Sequence, residues 1–214
     1  MCYDTTSSLT AWTIANSISI ILYVRNKNYD RWNAAFISTF TTIQLLEAGV
    51  WAGGNDEFLV QMMLVILLMQ PLVQSTMGYA FTKSDVLLFM SIMYFGMLLW
   101  GLWRVAKSKK GQFSATRGAG GHMIWIDKEV VASEAKGEGG SFLGGTGVLK
   151  QIIPLLYLGG LFIPLLFMKE GRGIPLLAVG VSTAIYSMLT AGEKEFSTMW
   201  CFYSVIYAFA ALLV

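Results

Sequence analysis

Seven apolar stretches fill most of this 214-residue chain, and of its 15 Lys and Arg and 13 Asp and Glu residues only Glu47 stands well inside one of them. The stretches run at about Leu9–Val24, Trp32–Ala52, Phe58–Phe81, Val86–Val105, Val148–Met168, Ile174–Ala191 and Ser197–Val214. Each approaches the roughly 20 residues that carry a helix across a bilayer. Lipid offers backbone amides no partner, so segments of this kind fold as helices. The sequence therefore predicts an all-α fold, a polytopic integral membrane bundle of about seven transmembrane helices forming one domain over residues 1–214. Composition agrees: 55% of residues are hydrophobic and 13% charged, against about 25% charged in soluble domains. The lipid bilayer is the expected partner, and a net charge of only +2 gives no reason to expect nucleic acid.

The connections carry matching punctuation. Ser84-Asp85, Thr146 and Ser197 stand where a side-chain oxygen would cap the next helix. Gly53-Gly54-Asn55-Asp56 and Gly171-Arg172-Gly173 read as tight turns, and Pro71, Pro154, Pro164 and Pro175 fall within or at the start of apolar spans. Between the fourth and fifth spans lies a Gly-rich extramembrane loop at about 105–147, whose segment His122 to Ala132 is apolar enough to pair as a short hairpin or lie at the interface. A lid over the bundle mouth and a flexible connector are both open readings of that loop. The N-terminus lacks a basic leader, so no cleavable signal is expected. Arg25, Lys27 and Arg31 after the first span favour the N-terminus outside and the C-terminus cytoplasmic. Arg104, Lys107, Lys109 and Lys110 pull the other way, against a loop long enough to weaken the rule.

Alternating spans bring distant residues to one face. Cys2 precedes the first helix, His122 lies in the long loop, Glu47 sits about 7 Å below the end of the second helix, and Cys201 lies one turn into the seventh. An ionisable group inside a membrane is costly and marks a site by default. Three readings of the cluster stand side by side. Cys2 and Cys201 form a disulfide or are inert, with Glu47 protonated. Alternatively Cys2, Glu47, His122 and Cys201 ligate zinc or another transition metal, for which thiolate, imidazole and carboxylate make a suitable tetrahedral set. In the third, Cys2 is a nucleophile or redox thiol with His122 or Glu47 as base. Around Glu47, Gln44 and Trp51 share its helix face, and Gln70 and Gln74 lie one turn apart on the third helix. With Thr39 they form either a polar path or interhelical hydrogen-bond glue. Trp12, Trp32, Trp100 and Trp103 read as interface anchors. No lysine stands in the seventh span, so no retinal is expected.

The segments Met1-Cys2-Tyr3-Asp4, Gln44 to Trp51, Gly121-His122-Met123-Ile124-Trp125 and Phe196 to Cys201 together resemble a family of multi-spanning membrane proteins from giant DNA viruses, protists and some bacteria. The resemblance extends along nearly the whole chain. It implies that Cys2, Glu47, His122, Trp200 and Cys201 are signature positions and brings no established activity with it. Members often carry Ser where this chain has Asp4, which marks it as divergent. The functional expectation is a polar site near one membrane face, formed by Gln44, Glu47, Trp51, Gln70, Gln74, Trp125 and Trp200 with the Cys and His residues. It would bind an ion, metal or small ligand, in a transporter or channel. A metal- or thiol-dependent membrane enzyme, or a structural membrane protein stapled by Cys2 and Cys201, is the alternative.

Overall fold

The structure, a computed structural model, describes the backbone of residues 4–118, 121–135 and 148–214, and the side chains of 4–118, 121–132, 152–190 and 200–214. Its order is α1 (Thr5–Arg25), α2 (Asp30–Trp51), α3 (Asp56–Thr82), α4 (Asp85–Ala106), β1 (Phe113–Arg117), β2 (Met123–Asp127), α5 (Lys128–Ala135), α6 (Val148–Phe162) and α7 (Gly173–Leu213). A 3-10 segment at Ile163–Phe167 follows α6, where Pro164 cannot supply the amide that an α-helix needs. The bundle is thus all-α, with one added two-stranded hairpin.

Local chemistry starts the helices. Asp4 accepts the Ser7 amide at 2.7 Å while the Ser7 side chain reaches back to the Asp4 amide, a capping box at the head of α1. These bonds hold the Asp4 carboxyl below its usual range. Asn55 caps α3 through the Phe58 amide, as the turn at Gly53 to Asp56 requires. Ser84 precedes α4 without a side-chain cap bond, and Thr146 lies outside the described residues.

Contacts between helix ends fix the path. At one end, the Arg25 guanidinium at the close of α1 donates to the Leu212 carbonyl at 2.7 Å, and the Lys169 amide donates to the Tyr29 hydroxyl at 2.8 Å. At the other, the Gly111 amide donates to Glu57 at 2.6 Å, Gln61 donates to Ser108 at 3.1 Å, and Arg117 lies 5.9 Å from the Trp51 ring. Successive long segments therefore run in alternate directions, and the hairpin sits at the second end.

One expectation changes form. The sixth and seventh apolar stretches are assigned a single helical backbone, Gly173–Leu213, with Ser197 inside it instead of at a cap. A straight helix of 41 residues would reach about 61 Å. Yet Trp200 donates to Thr183, 17 positions earlier, at 3.2 Å, where a straight path would separate them by about 25 Å. The chain doubles back between them. Glu193, Lys194 and Glu195 stand in the connection; a continuous α-helix cannot reverse its direction, so the helix axis is broken between Thr183 and Trp200.

Four helices among the described residues are long and apolar enough to cross a membrane: Thr5–Arg25, Asp56–Thr82, Asp85–Ala106 and Gly173–Thr190. Shorter apolar helices run at Ile152–Phe167 and Trp200–Leu213. The 22-residue α2 has the length without the hydropathy, because Asp30, Asn33, Thr41, Gln44 and Glu47 all face its buried side. It packs against α1, α3 and α7, and its polar groups meet protein. Trp32, read from sequence as an interface anchor, is corrected: it is fully buried between helices. Trp100 and Trp103 are exposed. Close packing of α6 depends on Gly160, where a Cβ would stand 2.5 Å from Pro71 and from the Tyr94 ring.

Candidate functional site at the hairpin end

The hairpin is attached by a buried ionic clasp. In β1 and β2, Phe113 pairs with Asp127 and Ala115 with Trp125. Alternation turns Met123, Trp125 and Asp127 inward together. Phe113, Met123 and Trp125 join the same apolar cluster as Ile43, Trp200 and Cys201 of the bundle. Asp127, whose side chain is fully buried, pairs with Arg104 at the end of α4. It also accepts from Gln112 at 3.3 Å and from the Glu129 amide at 3.0 Å. Of the two readings of the loop, a structured cap describes residues 113–117 and 121–132, because their apolar face is continuous with the core.

Beneath that cap the bundle is polar. Gln44 and Glu47 of α2 are fully buried, and Trp51, one turn beyond Glu47, lies partly buried under Arg117. Glu47 and the buried Cys201 of α7 lie close enough to interact electrostatically, and Cys201 interacts likewise with Tyr157 of α6. The Tyr157 hydroxyl in turn donates to Gln70 Oε1 of α3. Four helices thus contribute to one buried polar string. Gln70 Nε2 is a buried donor with no partner among the described residues, a state that costs about 1–3 kcal/mol.

One turn further along, the polar groups are satisfied. Gln74 accepts from the Trp32 indole at 2.9 Å and donates to the Leu161 carbonyl at 3.1 Å. Gln74 therefore ties α2, α3 and α6 together. Thr39 is occupied within its own helix, donating to Ala35 at 2.9 Å. His122 ends the hairpin turn and is buried, its carbonyl accepting from the Gly118 amide at 2.7 Å. Trp125 is buried on the hairpin's inner face. Trp200 packs with Phe40 at 5.5 Å and Phe162 at 6.0 Å, and its indole donates to Thr183, so this edge faces α6 and the first arm of α7.

Cys2 lies outside the described residues, so neither a disulfide nor a four-ligand set involving it can be traced. Among the described residues no group of three or more His, Cys, Asp and Glu side chains is arranged to hold a metal ion. Glu47, His122 and Cys201 do not by themselves make such a group.

Sequence reasoning missed Tyr157, and with it the link between Cys201 and Gln70. A lone Tyr in an apolar span carries no distinguishing spacing. It also missed the Arg104–Asp127 pair, whose members are 23 residues apart and meet only because the hairpin folds back onto α4. Comparison with family models, with curated proteins and with solved structures finds no match to this chain.

Proposed function

We propose that this chain is an integral membrane protein of seven alternately crossing segments that holds a cation or small polar ligand around Glu47, beneath the hairpin cap. One observation carries the reading: a carboxyl group with no exposure shares the buried polar string of Cys201, Tyr157 and Gln70 directly under a capped end of the bundle. A fully buried carboxyl is expensive unless its surroundings compensate it. The unsatisfied Gln70 donor adds a second group suited to a polar occupant. Binding is favoured over passage through the bundle because Gln74, Trp32 and the Leu161 carbonyl saturate one another below the site. A transition metal remains the specific case in which Cys2 and His122 complete the set with Glu47 and Cys201.

Two measurements test this. In sealed vesicles, cysteines placed at Lys27 and Lys109 on a Cys2→Ser background should label from opposite sides, with Lys27 on the cytoplasmic side. Labelling of both from one side would refute the alternating topology. For the site, purified protein should be stabilised thermally by at least one ion of a panel of Na⁺, K⁺, Mg²⁺, Ca²⁺ and Zn²⁺. Glu47→Gln should weaken that binding about 10- to 100-fold, the loss of one charged contact of roughly 1.5–3 kcal/mol. Equal shifts in wild type and variant, or no shift with any ion, would end the cation reading. Elemental analysis that finds zinc in wild type and none in Cys2→Ser would select the metal case.

A further inference from the structure

Four lysines crowd the outer rim of the hairpin end. Lys107, Lys109 and Lys110 follow α4 directly, Lys128 opens α5, and all four are exposed. The turn that bears the first three is closed by Gln112, whose amide donates to the Lys109 carbonyl at 3.0 Å and whose side-chain oxygen accepts from the Lys109 amide at 3.0 Å. The Gln112 carbonyl accepts from the Lys128 amide at 3.1 Å, and Lys128 Nζ lies 3.8 Å from where a Cβ on Gly111 would stand. The hairpin thus folds the fourth lysine onto the other three. Among the described residues none of the four takes part in a salt bridge. The acids nearby are Asp127, which pairs with Arg104, Glu129 beside Lys128, and Glu57 of α3, which accepts from the Gly111 amide. Between Arg104 and Ala132 the surplus of Lys and Arg over acids exceeds the net +2 of the whole chain.

What lies below the lysines identifies the partner. α4 packs against α3 and turns a stripe of Ile92, Phe95, Leu99 and Trp103 outward, every member exposed. Lys107 continues that stripe one turn on. From Ile92 to Trp103 the helix rises about 16 Å, close to half of a hydrocarbon layer about 30 Å thick. Lys107 stands about 6 Å further, within the roughly 5–7 Å that headgroups occupy on each side. Apolar flank, indole and cation therefore follow one another in the order of tail, ester and phosphate along a lipid.

We infer that this rim selects a phospholipid with a net negative headgroup over a zwitterionic one. A zwitterionic headgroup sets its own cation against the lysines, and each basic side chain at an anionic surface strengthens attachment about fivefold. The inference rests on the membrane reading above, holds for either orientation of the chain, and is independent of what binds at Glu47.

Native mass spectrometry of the full chain in detergent, titrated with equal amounts of dioleoyl phosphatidylglycerol and dioleoyl phosphatidylcholine, tests it. Wild type should prefer phosphatidylglycerol by about tenfold or more, and Lys107→Gln, Lys109→Gln, Lys110→Gln and Lys128→Gln together should bring the preference below about threefold. Should that variant not fold, the pair Lys109→Gln and Lys110→Gln should give an intermediate preference. Lys27→Gln, Arg31→Gln and Lys169→Gln together, at the opposite end, should leave it unchanged. An undiminished preference in the rim variants, or an equal loss in the opposite-end variant, would overturn the rim as the selective site. No preference in wild type, the outcome if these lysines serve an acidic protein, would overturn the lipid assignment. Inorganic phosphate displacing phosphatidylglycerol at equal concentration would do the same. Alkaline carbonate extraction of the source membranes reads the membrane premise separately: protein in the soluble fraction refutes that premise, whatever the lipid titration gives.

Discussion

Trp32→Ala is expected to lower stability by about 3–5 kcal/mol, the range for removing a large aromatic side chain from a packed interior. That is a large share of the 5–15 kcal/mol by which folded domains are held. Trp32 has no exposure. Its ring stacks on Phe81 at 6.3 Å and meets the edge of Tyr29 at 5.7 Å. The surroundings cannot close over the void easily, because Gly78, packed against the ring, offers no side chain to move inward. Loss of the indole also strips Gln74 Oε1 of its donor. Trp32→Phe separates the two effects. It keeps most of the packing and loses the hydrogen bond, for which contacts inside membrane bundles average about 0.6 kcal/mol and reach about 1.7. Unfolding of the detergent-solubilised protein in a denaturant series gives both values. If Ala and Phe cost the same, packing around the ring is not what holds this end together.

Asp127→Ala should release the hairpin from the bundle, at a cost near 3 kcal/mol. Breaking a buried ion pair by removing one partner costs about 3–5 kcal/mol. The lower figure is used because Arg104 retains 12% side-chain exposure and can turn toward water. Asp127 also organises Gln112 and the start of α5 through the bonds described above, so its loss affects the hairpin's base as well as its charge. Asp127→Asn keeps a similar shape and should be nearly as damaging if the charge is what matters. The readout is local: Cys201, now buried, should react with a small maleimide at least ten times faster on a Cys2→Ser background. Unchanged reactivity together with unchanged thermal stability would show that the clasp does not hold the cap.

Trp32 and Asp127 lie at opposite ends of the bundle, and at both the decisive contacts are long-range ones. Apolar run length gave the long helices to within a few residues, because hydropathy is a property of the chain itself and needs no partner. The turn at Gly53 to Asp56 was likewise local, with Asn55 acting as both turn residue and cap. By contrast, Trp32 was assigned to an interface on residue type alone, and only the arrangement of α2 among α1, α3 and α7 shows it buried. The Glu47 region was legible as an anomaly, a charge where none is tolerated cheaply. Its neighbours Cys201 and Tyr157 come from segments over 100 residues away in sequence, and helical periodicity gives no information on which faces meet. The two spans on either side of the reversal within α7 are legible because Glu193, Lys194 and Glu195 interrupt the apolar run.

Arg25 bears on how the chain assembles. Its guanidinium holds Asp30 at 2.7 Å, a neighbour made five residues later in synthesis, and the Leu212 carbonyl at 2.7 Å, made 187 residues later. During synthesis this cation therefore waits, half satisfied, until the segment around Leu212 arrives. The earlier helices can fold before Arg25 is fully paired, and the α1–α7 contact is completed only once residue 212 has been made.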